Sequence, residues 1–378
     1  MTLKDNKVIF IEMTGKITRR DFLKMSMLGM GAVSLSPWLD WSQLQLEWPD
    51  AERLGRICVG KVDIRSHPSV NAPSVGVLYE DAVVVWLREV VGEVPAGRQS
   101  SRWVETPDGY IYAPSVQPVE NRPNYPVTEL PETSLGQGMW AEVTVPHTQI
   151  FLEGRAPSSV WLKYAVEHGV IPRLYYSQVV WVDQVKTNSA GQVLYRVNER
   201  YGPGDLFWVA AESMRPLTEE ELTPINPEVE NKRVVVDVTP TRQFLYCYEG
   251  NTEVYFCQIS SGAKWNSAGE WVEEWGTPIG PHPIWRKAIS IHMTGGQTGT
   301  GYDLPGVPWV TLFTGEGVAI HSTFWHNDYG TPRSHGCVNA APEDAKWIFR
   351  WTMPHIPYDP GDLTVGMPGG TIIDVIEA

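Results

Sequence analysis

Hydrophobic residues fall in short β-rich runs broken by polar turns: Ile57 to Val62, Ser74 to Leu78, Val83 to Val91 and Trp103 to Tyr112, then Arg233 to Asp237, Gln243 to Tyr248 and Val254 to Ser260. Alternation of this kind, punctuated by Gly, Pro, Asn and Asp, predicts strands joined by tight turns. Gly317-Val318-Ala319-Ile320 reads as a buried strand. Helical spacing is read at Ala345, Ile348, Phe349 and Thr352. Pro342 at the first helical position and Glu343 and Asp344 in the first turn place the start of that helix near Pro342.

Two Pro-rich or polar stretches, Asn121 to Leu135 and Thr223 to Glu230, divide the chain into blocks at 52–120, 136–220 and 231–377. The last two strand-like runs of the middle block, Leu206 to Val209 and Met214 to Leu217, make it look like a weaker second copy of the first. Ahead of them, Thr18-Arg19-Arg20-Asp21-Phe22-Leu23-Lys24 precedes a charge-free, apolar run from Met25 to Leu39. Residues 1–41 therefore read as a twin-arginine export signal, which implies the twin-arginine machinery as a partner and an exported location: cell wall, periplasmic or extracellular face. The run is short for a permanent span, which needs about 20 residues. No clean Ala-x-Ala site follows it, so cleavage and a retained membrane anchor both stay open, as does Met13 as an alternative start.

Composition narrows the partners. A formal net charge of −14 argues against nucleic acid, which calls for a basic stripe. Export bears on the four cysteines, because disulfides persist outside the cytosol. Cys247 and Cys257 flank one hairpin, so a bridge between them depends on its register, whereas Cys58 lies in another block and Cys337 is expected to be free.

The densest chemistry lies where Ile320-His321-Ser322 precedes Ser334-His335-Gly336-Cys337-Val338-Asn339, with Cys337 16 positions after His321. Cysteine attacks a carbonyl as its thiolate, so it needs an imidazole to take the proton and N–H groups aimed at the oxyanion. His335 and His321 compete as the base; His321, at the end of a strand, is the more rigidly held. The His335-Gly336-Cys337 loop then supplies main-chain N–H groups, with Gly336 permitting close approach. A lone cysteine is more often a small buried hydrophobe. A zinc cluster of His292, His321, His326 and His335 with Cys337 lacks both His-Glu-x-x-His and paired Cys-x-x-Cys spacing, so no metal is expected.

The string Ser-His-Gly-Cys-Val-Asn, preceded at this distance by Ile-His-Ser, resembles the signature of the L,D-transpeptidase catalytic domain family (YkuD-like). The opening strands, the Ser261-Gly262 strand end and the turn Thr277-Pro278-Ile279-Gly280 extend the likeness over about 231–377. The resemblance implies a β-rich catalytic fold with Cys337 as the acylated nucleophile, His321 as general base, Ser322 orienting the base, and His335 and Gly336 in the signature loop. It also implies a mobile flap from Ile291 to Tyr302, for which a plain surface loop is the alternative. Substrate-side roles are expected for Ser334, Asn339, His326 and Tyr302, with His326 on a polar loop that would rim the site and the alternative that it is merely solvated. Asn339 stands where many relatives have arginine, and Trp265 to Trp275 is an inserted Trp- and Glu-rich stretch. The first two blocks resemble bacterial Src-homology-3-like barrels, on the run Val62-Asp63-Ile64-Arg65-Ser66-His67-Pro68-Ser69 and on Gly109-Tyr110-Ile111-Tyr112. They are expected either to bind cell-wall glycan or peptide or to act as spacers. The implied chain is mainly β: two small barrels, then a catalytic domain with one or two helices. The implied activity is peptidoglycan cross-linking between donor and acceptor stem peptides, with no cofactor. An L,D-carboxypeptidase or other wall hydrolase with the same Cys/His site, and a non-catalytic wall-binding protein, are the alternatives.

Overall fold

The computed structural model describes residues 48–153, 156–264, 270–295 and 302–377. The export segment, the Trp265 to Gly269 part of the insertion and the flap residues Gly296 to Gly301 lie outside the described residues. All described residues belong to one compact unit, Trp48–Ala378. It is mainly β, with two α-helices.

The first block folds as a five-stranded antiparallel sheet, in the order Ser74–Tyr79, Lys61–Arg65, Gly109–Tyr112, Arg102–Thr106, Arg88–Val91, beside a three-stranded sheet. Ile57, Ile64, Trp86, Val104 and Ile111 pack between them. The second block is also built on a five-stranded sheet, with its own core of Met139, Val143, Tyr195, Phe207 and Met214. In both, the last two strands are joined by a three-residue 3-10 turn, Ala113–Ser115 and Ala211–Ser213. The second block also holds a helix, Val160–His168, absent from the strand-only expectation. Its signals were local: Ser159 at the N-cap and Gly169 at the C-cap with φ 65°, a left-handed conformation that glycine adopts without a Cβ penalty.

The third block forms a ten-stranded sheet. The predicted strands are Lys232–Thr239, Arg242–Glu249 and Thr252–Ser260, and the chain's last strand, Ile372–Ile376, pairs parallel to the first of them. Cys247 faces Tyr255 and Cys257 faces Leu245, so the two thiols are offset across the pair, and both are buried and free. The predicted helix runs Pro342–Trp351 and buries Ala345, Ile348, Phe349 and Trp351 against the sheet. Its last carbonyls have no intrahelical partners. Two lysines from neighbouring strands meet them: Lys232 Nζ donates to Trp351 O at 2.9 Å, and the fully buried Lys287 Nζ donates to Thr352 O at 2.9 Å and to Phe349 O.

The first two blocks brace the segments that border the site. Arg56, 2% exposed, donates to Phe324 O at 2.6 Å, to Gln117 and to Asp81, while its guanidinium lies 4.1 Å over the Tyr175 ring. The hairpin of Arg286–Gly295 and Tyr302–Leu312 is clamped from the other side. His292 Nδ1 contacts Glu199 Oε1 at 2.8 Å and its Nε2 contacts Asp303. The second Asp303 oxygen accepts the N–H groups of Val160 and Trp161 at 2.8 and 3.0 Å, capping the helix of the second block.

Burial disfavours a charged His292, but the Glu199 and Asp303 carboxylates outweigh it and hold its pKa above the ordinary 6.5. Replacing His292 by Leu leaves the buried Glu199 and the partly buried Asp303 carboxylates without their shared partner, and is expected to destabilise the fold by roughly 3–5 kcal/mol in urea unfolding. A raised folded-state pKa stabilises most below the unfolded value and is lost as pH rises through the folded one. The wild-type advantage over His292→Leu is therefore expected to shrink as pH rises above the ordinary histidine value of 6.5; an advantage that grows with pH contradicts the clamp's charge state.

Candidate active site

Two short strands, Ala319–Ser322 and Val338–Ala340, pair in parallel with Ile320 opposite Val338 and His321 opposite Asn339. Side chains alternate across a strand. Ile320, Val338 and Ala340 enter the core beneath the Pro342–Trp351 helix, whereas Ala319 and Cys337 join the smaller apolar cluster of the opposite face. His321 and Cys337 thereby share one face, diagonally placed across the pair, and both line a cleft of about 330 Å³.

His321 Nδ1 lies 2.8 Å from Ser322 O. A carbonyl only accepts, so Nδ1 carries the proton and Nε2 keeps its lone pair. Ser322 acts here through its backbone; its buried Oγ has no hydrogen-bond partner. Burial pushes the His321 pKa down to about 4, against the hydrogen bond to Ser322. Burial likewise pushes the Cys337 thiol up to about 11, with a hydrogen bond to the Ala319 backbone opposing it. The resting pair is thus thiol and neutral imidazole, a base with an empty Nε2 beside an acid that has kept its proton.

The loop that leads into Cys337 is stapled at its base. Arg333 N and Ser334 N both donate to Ser261 O, at 2.9 and 3.1 Å, and Ala263 N donates to Ser334 O at 2.8 Å. Thr277 Oγ1 donates to Gly336 O at 2.8 Å and accepts from Gly262 N at 2.9 Å, so the Thr-Pro turn is the buckle between strand end and loop. Gly336 has φ 126°, a conformation that L side chains rarely adopt. Its N–H donates to Ser334 Oγ at 3.1 Å, and that hydroxyl donates in turn to Cys337 O at 2.5 Å. Of the main-chain N–H groups of the His335-Gly336-Cys337 loop, that of Gly336 is thus taken by the loop's own serine. His335 is packed between rings, 4.3 Å from Trp275 of the insertion and 5.3 Å from Tyr302.

His326 does not rim the site in solvent. It is 2% exposed, its Nδ1 accepts the Asp328 N–H at 3.2 Å, and its Nε2 lies 2.9 Å from the Asn339 carboxamide. Burial lowers its pKa to about 3. A polar residue inside must find partners, and two backbone-anchored ones are available, so His326 props Asn339 from below while Asn339 reaches the cleft.

The cleft walls were mostly not legible from the motifs. Met293, Tyr302 and Leu304 come from the cleft face of the hairpin, and Trp325, whose ring is 5.7 Å from that of His321, comes from the loop after the base strand. Alternation along the hairpin was the available signal: His292 and Asp303, the sequence neighbours of Met293 and Tyr302, face the second block. Arg333 also lines the cleft and was missed. Ser334 and Tyr302 line its border. Burial and the nearby Cys337 raise the Tyr302 pKa, so its phenol stays a donor at neutral pH.

Residues 231–373 match the YkuD family model, described as the L,D-transpeptidase catalytic domain. This part of the chain is an L,D-transpeptidase catalytic domain. The Bacillus subtilis (strain 168) protein named "Putative L,D-transpeptidase YciB" is 27% identical over 134 residues, which are 32% of this chain and 63% of that protein. The chain thus spans less than two thirds of the relative's length. Among solved structures, the E. faecium L,D-transpeptidase catalytic domain is 24% identical, with a TM-score of 0.28, covering 39% of this chain and 98% of that one. A Mycobacterium smegmatis L,D-transpeptidase is 17% identical, with a TM-score of 0.29, covering 52% and 98%. Among the described residues, the L,D-transpeptidase domain and its two companions hold no helix long and apolar enough to cross a membrane, and no group of three metal-ligating side chains.

A thiol held near 11 titrates far above neutrality. Alkylation of Cys337 by iodoacetamide, followed by peptide mass mapping, is expected to accelerate about tenfold per pH unit from neutral to about pH 10. A plateau near pH 7 would show a preformed thiolate instead.

Proposed function

We propose that the protein is an exported peptidoglycan L,D-transpeptidase working through a Cys337 thioester. The observation that supports it most is the shared face of His321 and Cys337 in one cleft, with His321 Nδ1 committed to Ser322 O and Nε2 left for proton transfer. Cys337 Sγ attacks the carbonyl preceding the terminal D-residue of a donor tetrapeptide stem as His321 Nε2 takes its proton. The negative charge gathers on the carbonyl oxygen, facing the main chain of the signature loop, and Tyr302 offers an O–H from the opposite wall. His321 then passes the proton to the leaving amine, the C–N bond breaks and D-alanine departs. An acceptor stem's side-chain amine attacks the thioester, loses a proton to His321 and leaves a cross-link, with the thiol restored.

Apolar walls from Met293, Leu304 and Trp325 suit this chemistry, because excluding water protects a thioester from hydrolysis until the amine arrives. In this reading residues 1–41 direct export by the twin-arginine pathway, 52–120 and 136–220 are small β-domains, and 231–377 performs the reaction on the outer side of the membrane.

Incubation with purified muropeptides and mass analysis is the direct test: a cross-linked dimer is expected, a trimmed monomer would mean hydrolysis, and unchanged substrate would reject catalysis. Cys337→Ala should abolish turnover while remaining folded. His321→Ala should lose roughly 10²-fold or more in rate and be partly rescued at high pH, where the thiolate forms without a base. His335→Ala should be slowed without such rescue, and the reverse pattern would move the base to His335. Arg19→Lys with Arg20→Lys should strand the protein in the cytoplasm; normal export of that variant contradicts the targeting.

A further inference from the structure

The cleft walls are apolar, and His321 is uncharged at neutral pH, yet one cation borders the site. Arg333 is the only lysine or arginine among the described residues lining the cleft. Its backbone is fixed by the 2.9 Å bond to Ser261 O. Its guanidinium, with a side chain 32% exposed, is held from behind by Asp328, which is 1% exposed, at 3.3 Å. Asp328 is itself immobilised: its N–H is bonded to His326, its carbonyl accepts Ser260 Oγ at 2.8 Å and its Oδ1 accepts Thr331 Oγ1 at 3.2 Å. That one carboxylate also faces Arg98 of the first block at 3.8 Å. Two guanidinium charges share a single counter-charge, so the cluster is net positive in a chain whose overall charge is −14.

The Arg333–Asp328 contact is an ion pair without a hydrogen bond, and no other protein acceptor holds the Arg333 guanidinium among the described residues. A guanidinium has five N–H donors in a planar fork matched to carboxylate. Tethered at both ends, the guanidinium keeps N–H donors available to a carboxylate.

We propose that Arg333 is a specificity-determining residue that binds the terminal carboxylate of the donor stem. This rests on the transpeptidase reading above. A donor cleaved before its last residue carries a carboxylate one residue beyond the scissile carbonyl, on the leaving amino acid. Pairing it with Arg333 sets the carbonyl over Cys337 and restricts attack to the terminal bond, since an internal residue has no carboxylate there. Arg333 takes no part in proton transfer; it selects and positions.

Binding, rather than turnover, keeps the test independent of the catalytic reading. In a Cys337→Ala background, the dissociation constant is measured for a synthetic tetrapeptide stem ending in D-alanine, as the free acid and as the C-terminal carboxamide. The acid is expected to bind roughly ten- to a hundredfold tighter, the range of a charge-assisted hydrogen-bonded pair. Arg333→Gln should erase that preference without changing carboxamide binding, and Arg333→Lys should keep part of it. Equal affinities for the two peptides, or a preference that survives Arg333→Gln, would overturn the inference. Equal weakening of both by Arg333→Gln would also overturn it, since that marks a residue that only holds the loop. Absence of turnover in the unmodified protein, with the acid preference intact, would refute the transpeptidase reading and leave the carboxylate site standing.

Discussion

The site depends on a single pairing: two very short parallel strands, Ala319–Ser322 and Val338–Ala340, locked with His321 beside Asn339. The strand period is two residues, so a slip of one position would turn His321 or Cys337 into the core and Ile320 or Val338 into the cleft. Burial of Ile320, Val338 and Ala340, each 0% exposed, makes that slip costly. The same apolar residues that hold the sheet to its helix therefore aim His321 and Cys337 into the cleft.

Around this pair lies irregular backbone, and irregular backbone in a protein interior needs partners for every N–H and C=O. The structure supplies them from distant places. Ser261 and Thr277 hold the nucleophile loop, Arg56 holds the Phe324 carbonyl, and Ala113 and Pro114 carbonyls receive Asn327. The first block is in this sense part of the loop's hydrogen-bonding environment, and the second, through Glu199, His292 and Asp303, is part of the hairpin's. The contacts of these blocks with the catalytic domain shape the ground on which the cleft walls stand.

Burial also sets the electrostatics. Desolvation acts on both partners, lowering the imidazole and raising the thiol, so the resting site stores no charge pair. In the proposed reaction charge develops only as the thiol meets a carbonyl, at which point nearby dipoles act with little water to screen them. The contrast with the rim is instructive. There Asp328 lies within ion-pair distance of both Arg98 and Arg333, at 3.8 and 3.3 Å.

By itself the sequence determined what local backbone preference and short-range patterning can encode. The runs at Arg233 to Asp237, Gln243 to Tyr248 and Val254 to Ser260 became strands, and Pro342 opened a helix, because alternation and capping are read within a few residues. It also contained the residue types of the candidate site, since Cys337, His321 and the loop around them lie in one short stretch. Tertiary structure decided the rest. His326 was sent inward to Asn339, and Gly336 N–H was given to Ser334 rather than to the cleft. Cys247 and Cys257 were offset by the register of their strands, and His292 was paired with Glu199, a residue 93 positions away. Arg333 looked like any polar loop residue until the fold set Asp328 behind it and the cleft before it. The reason is physical: a side chain's neighbours across a sheet or between domains come from register and packing, which depend on the whole chain, whereas its propensity depends on only a few residues.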